Sequence, residues 1–120
     1  MLKQLTQGYI KAFGEKNLTE LDSMLHKDFI LMDTEIKKTS PNGLKGKETC
    51  LNAMGQIFKS CNTLVFKAKN IFVCNNTSLI EFSLQIDTLL LEGVDIIEWE
   101  KQGDTFIMKE LRAYLDMPKG

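Results

Sequence analysis

A carboxylate or phenol on the apolar side of an amphipathic element needs a reason to be there. An ionised carboxylate without partners in an apolar setting costs several kcal/mol, so it must find a partner, shift its pKa, or sit at an end that water reaches. Three residues of this chain stand in that position. Tyr9 lies on the side of a helical pattern otherwise formed by Leu2, Leu5, Ala12 and Phe13. Asp33 shares a strand face with Phe29 and Leu31. Asp95 alternates with Ile97 and Trp99, while Ile96, Glu98 and Glu100 take the other side. Proton donors and acceptors of these types can do acid–base work if one cavity gathers them. Each also has a plain reading. Tyr9 can be a core tyrosine whose hydroxyl meets a carbonyl or water. Asp33 can be a turn-forming aspartate beside Lys37 and Lys38, and Asp95 a salt-bridged or sheet-edge carboxylate.

The other reactive residue types point elsewhere. His26, the single histidine, follows a helix and reads as a cation favouring its C-terminal dipole. Cys50, Cys61 and Cys74 are odd in number and form no CxxC pair, so they read as buried or semi-buried free thiols. Arg112 is the only arginine; it shares a strand face with Glu110 and Tyr114 and reads as a dimer-facing ion pair. One histidine excludes most histidine-rich metal sites. There is no phosphate loop and no GxGxxG, so no metal, nucleotide or other cofactor is expected.

The elements that must position these residues follow from periodicity. Residues 2–15 read as an amphipathic helix ended by Gly14 and the polar run Glu15-Lys16-Asn17. Asn17 caps a short second helix, with Glu20 three positions on and Leu18, Leu21 and Leu25 as its apolar side. From Asp28 the period switches to two. Residues 37–45, KKTSPNGLK, mark a flexible loop. A third helix follows from about 47 to 60, with Met54, Ile57, Phe58 and Cys61 at helical intervals. Strands follow over 63–74, 78–88, 92–100 and 105–115. Asn75-Asn76 joins the first two, and Lys101-Gln102-Gly103-Asp104 joins the last two with a glycine where positive φ is needed. Helices first and antiparallel strands after predict an α+β domain, with three N-terminal helices on one face of a mostly antiparallel sheet and a pocket between them.

The 120 residues suit one domain, 1–120. A net charge of −1, from 15 Lys+Arg and 16 Asp+Glu, offers no electrostatic attraction to nucleic acid or an anionic membrane. The N-terminus lacks the apolar core of a secretory signal and the longest apolar run is Leu89-Leu90-Leu91, so a reducing cytoplasm is expected.

Three stretches in order resemble the SnoaL-like and ketosteroid-isomerase-like branch of the nuclear transport factor 2-like superfamily. They are YIKAFGEKNLTELDSMLHKDFILMD, GKETCLNAM and VDIIEWEKQGDTFIMKELRAYLD, and the resemblance runs from about residue 5 to 116. It implies a cone, with a curved sheet around a long helix and a pocket open at one end, and a homodimer through the outer face of the sheet. It also implies roles: Asp33 resembles the general base, and Tyr9 and a protonated Asp95 resemble the two oxyanion donors. Phe29, Met54, Phe58, Ile97, Trp99, Leu111 and Leu115 are expected to line the pocket. The sequence departs from the isomerases at Thr34, where they typically carry proline, at Met54, where they often place a further tyrosine, and in a longer loop before Gly46. The implied function is cofactor-independent proton transfer on a hydrophobic carbonyl compound. The alternatives are a non-catalytic ligand-binding or dimeric association module of the same fold, and a related cyclase or hydrolase.

Overall fold

The computed structural model describes residues 1–116. Helix α1 (Leu2–Gly14) buries Leu2, Thr6, Tyr9 and Ala12, the stripe that helical spacing selects. Asn17 caps α2 (Leu18–Met24) by accepting the Glu20 N–H at 3.0 Å, and the chain passes directly into β1 (Leu25–Met32). His26 is thus a strand residue, not a helix-terminal cation. Its Nδ1 accepts the Asp28 N–H at 2.9 Å and its Nε2 faces Glu100 at 3.1 Å.

The stretch after β1 corrects the expectation of a loop. Asp33 ends the strand with extended dihedrals and caps a short helix, α3 (Thr34–Thr39), accepting the Ile36 N–H at 2.8 Å. The described residues therefore hold four helices where three were expected. The Ser40–Gly43 turn then leads to a two-residue strand, β2 (Leu44–Lys45), paired with β1. Gly46, at φ 96°, starts α4 (Lys47–Ser60) and donates its N–H to the Phe29 carbonyl at 2.8 Å, which fixes this helix to β1.

Four long strands complete the sheet: β3 (Leu64–Cys74), β4 (Thr77–Ile86), β5 (Leu89–Gln102) and β6 (Thr105–Asp116). The order is β2-β1-β6-β5-β4-β3, antiparallel throughout except for the parallel β1–β6 pair. Left-handed Asn75 turns the β3–β4 hairpin and Gly103 the β5–β6 hairpin. Asp87, also left-handed, turns β4 into β5 and accepts the Asn62 and Thr63 N–H groups, so β4 stops short of the expected residue 88. Helix α1 packs on β3 and β4, α4 packs on β1, and α2 bridges the two helices. Alternation in β4 and β5 sends Ile80, Phe82, Leu84, Leu91, Asp95, Ile97 and Trp99 to the helical side. Among the described residues no helix is long and apolar enough to cross a membrane.

Candidate active site

Helix α1, helix α4 and the inner face of the sheet border a partly open cavity of about 100 Å³. Tyr9 and Phe13 reach it from α1, Leu31 from β1, Met54 and Ile57 from α4, and Phe66 from β3. Phe82 and Leu84 come from β4, Asp95 from β5, and Leu111, Ala113 and Leu115 from β6. Asp33 lines it from the β1–α3 junction. Ile57, 39% exposed, is the most exposed wall side chain, and Phe13, Leu31, Asp33, Ala113 and Leu115 are partly exposed. The three polar residues singled out by periodicity thus border one space.

Register explains why Asp95 is isolated. Its direct neighbours across the sheet are Ile80 on β4 and Ala113 on β6, so no adjacent strand offers it a cation or a donor side chain. It is 4% exposed. Burial, reinforced by the nearby Asp33 carboxylate, pushes its pKa up to about 8, so it carries a proton at neutral pH. Burial, followed by the neighbouring Asp95, likewise holds the Tyr9 hydroxyl well above its ordinary value. Among the described residues neither group hydrogen-bonds to another side chain, yet no fully enclosed side-chain nitrogen or oxygen lacks a partner. Both groups therefore keep an open side, and the space beside them is the cavity. Asp33 differs, because the α3 N-terminus holds its Oδ1 through the Ile36 N–H. That bond fixes the carboxylate at the wall and leaves its second oxygen for other work. Two neutral donors and one anchored carboxylate can polarise a carbonyl and take a proton from the carbon beside it.

Of the expected lining residues, Met54, Leu111 and Leu115 reach the cavity. Phe29, Phe58, Ile97 and Trp99 do not, and pack in the core instead. Ile97 and Trp99 lie on the same face as Asp95 but further along the strand, beneath the start of α1. There Trp99 Nε1 donates to Ser78 Oγ at 2.8 Å. The Ser78 and Thr6 hydroxyls, 2.9 Å apart, carry the chain on to the Leu2 carbonyl at 2.7 Å. Phe29 is fully enclosed under α4. Phe58 meets the cavity residue Phe13 edge-on, with ring centroids 5.0 Å apart, and stands behind the wall.

Sequence reasoning missed Phe13, Leu31, Ile57, Phe66, Phe82, Leu84 and Ala113 as wall residues. A signal existed for several: Phe13 is one helical turn past Tyr9, and Phe82 and Leu84 sit on the apolar face of β4. Gly93, also on the inner side of β5, had none. A Cβ there would collide with the Tyr114 carbonyl oxygen and meet Phe82 Cζ at 3.0 Å, so glycine is what lets β6 close on β5 beside the site.

The remaining reactive groups stay apart. Cys50 is buried against the Leu44 and Phe29 carbonyls, Cys61 is buried at the end of α4, and Cys74 is exposed at the end of β3. Burial raises the Cys50 thiol. Arg112, on the outer face, pairs within the chain with Glu98 at 3.2 Å and with Glu110. Among the described residues no group of three His, Cys, Asp or Glu side chains is placed to hold a metal ion.

No family model matches the chain, and no curated protein matches it in sequence. Solved structures do match in fold. A SnoaL-like protein of unknown function from Burkholderia thailandensis superposes with a TM-score of 0.82 at 16% identity, over 95% of this chain and 93% of that one. An NTF2-like protein of unknown function from Cytophaga hutchinsonii gives 0.78 at 15% identity, over 97% and 90%. A protein from Kribbella flavida provisionally named a ketosteroid isomerase gives 0.76 at 14% identity, over 98% and 78%. Helices packed on a six-stranded, mostly antiparallel open sheet, superposing on these structures over nearly the whole chain, give this protein the nuclear transport factor 2-like fold.

Proposed function

We propose that the chain binds a hydrophobic carbonyl compound in this cavity and moves a proton along its carbon skeleton without a cofactor. The observation that carries the reading is the meeting of Tyr9, Asp33 and Asp95 at one apolar cavity. Asp33 takes the proton from the carbon beside the carbonyl. As that C–H bond breaks, its electron pair becomes the enolate double bond and the carbonyl oxygen gains the charge. Tyr9 and protonated Asp95 hydrogen-bond that oxygen, and preorganised donors in a water-poor site stabilise such charge well. Asp33 then returns the proton to the same or a conjugated carbon, so atoms and charge balance within the complex.

The test is exchange of the α-protons of a small ketone in D₂O, followed by NMR with and without the protein. Faster exchange that disappears in Asp33→Asn supports the reading. Ketone binding with no exchange leaves a non-catalytic binding module, and unchanged exchange in Asp33→Asn removes Asp33 from the mechanism.

A homodimer through the outer sheet face belongs to the same proposal. Phe72, Leu79, Ile96 and Arg112 form one row across four strands there, and Phe72 and Tyr114 are well exposed. Phe72→Lys is expected to give monomers in sedimentation equilibrium; a wild-type protein that is monomeric at every concentration removes the dimer. The three free thiols support a reducing compartment such as the cytoplasm.

A further inference from the structure

From the size and charge of the cavity we infer that its ligand is a single small ring or short-chain neutral ketone, of about six non-hydrogen atoms, rather than a fused-ring compound. This rests on the proton-transfer reading and narrows its substrate class. Size comes first. A dry apolar cavity of about 150 Å³ holds one benzene, and sites for drug-sized ligands run from about 300 to 1,000 Å³. The cavity here is about 100 Å³, smaller than the benzene-holding one, so a five-membered ring or a chain of similar size is about the most that fits inside it.

The walls do not yield easily. Tyr9, Met54 and Phe82 are buried, and the aromatic residues brace one another. Phe66 meets Phe82 at 5.0 Å, Phe13 at 5.3 Å and Tyr9 at 6.1 Å between ring centroids. Pushing one ring aside to admit a second fused ring would disturb its neighbours, and overfilling a packed interior is costly.

Charge narrows the class further. No lysine, arginine or histidine lines the cavity, whereas Asp33 and Asp95 both do. An anionic ligand would be desolvated against a carboxylate with no counter-ion, so carboxylates and phosphates are disfavoured. A small cation would find Asp33, but Asp95 holds its proton and offers no second charge. A neutral carbonyl oxygen matches the two donors, and its short hydrocarbon frame matches the aromatic wall.

The experiment titrates the wild-type protein with cyclopent-2-enone, a four-ring enone, cyclopentanecarboxylate and tetramethylammonium, reading chemical shifts of the wall residues. Cyclopentenone is expected to bind at least about tenfold tighter than each of the others. Equal or tighter binding of the four-ring enone overturns the size limit and leaves the proton-transfer reading standing. Tighter binding of either ion overturns the neutral class. If no carbonyl compound binds and α-proton exchange is absent, the proton-transfer reading itself falls. Met54→Ala, which enlarges the wall on the α4 side, is expected to move the preference toward a two-ring ketone. The wild-type series decides the question even if that variant does not fold.

Discussion

Asp95 and Glu98 stand three residues apart on β5 and face opposite sides of the sheet, and their carboxyl groups are driven in opposite directions. Asp95 looks across at Ile80 and Ala113, and burial pushes it up to about 8. Glu98 looks across at Thr77 and Glu110 on the outer face. The Thr77 hydroxyl donates to it, Arg112 Nη1 lies 3.2 Å away, and these hold it below the usual carboxylate range, Thr77 first. Residue type is not what separates them. The neighbours supplied by register on each face decide which carboxyl keeps a proton, and hence which can serve as a donor.

The largest effect that would break this contrast lies in catalysis. Asp33→Asn on the inner side should lower proton-transfer rate by about 10²–10⁴-fold, the usual contribution of a positioned base, whereas Glu98→Gln on the outer side should leave it unchanged. A comparable loss from both would mean that the cavity is not the reacting site. Next comes pH. A donor that ionises near 8 predicts activity falling as pH rises through that value, and Asp95→Asn, which keeps a neutral donor, should flatten the fall. Stability carries the same sign. The folded value of Asp95 lies above the unfolded one of about 3.9, so its contribution is fully present below pH 4 and is lost as pH rises toward 8. Glu98 runs the other way: its contribution is present above the unfolded value of about 4.3 and is lost as pH falls through its lower folded value. Denaturant titrations across pH on Asp95→Asn and Glu98→Gln separate the two slopes, and identical slopes would end the comparison.

The side of the sheet each carboxyl takes was legible from a period of two, because alternation in 92–100 is uninterrupted. Helix α4 was equally plain, with apolar residues at helical intervals from Cys50 to Phe58 after a glycine start. Distance along the pocket was not legible. Ile97 and Trp99 share Asp95's face, but period two says nothing of where along the strand the cavity gives way to packed core, and both residues lie in the core. In β6 a bulge opposite Glu98–Trp99 inserts Lys109, so that Met108 and Leu111 both turn inward and simple alternation fails. Helix α3 was hidden by the neighbouring Ser40-Pro41-Asn42-Gly43. Its signal was an aspartate cap followed by Glu35 in the first turn, and reading it would have placed Asp33 as an anchored carboxylate from the outset.

The contrast can be sharpened further by removing one polar link from each face. Inside, Ser78→Ala leaves the buried Trp99 indole N–H without its acceptor and should cost about 1–3 kcal/mol, with no dependence on salt.

Outside, Arg112→Gln should cost less than about 1 kcal/mol at moderate salt, as partly exposed ion pairs do. Its effect should nevertheless respond to ionic strength. Glu98 and Glu110 are direct cross-strand partners, and Arg112 is the cation beside both. Without it two like charges face each other, a repulsion that salt weakens over a Debye length of about 10 Å at 0.1 M. Denaturant midpoints of wild type and variant should therefore diverge as salt is withdrawn. For Ser78→Ala the gap should stay constant, because a buried indole without a partner has no charge for salt to screen. A salt-independent Arg112→Gln would show that neutral packing against the arginine stem, rather than charge, holds the outer face together.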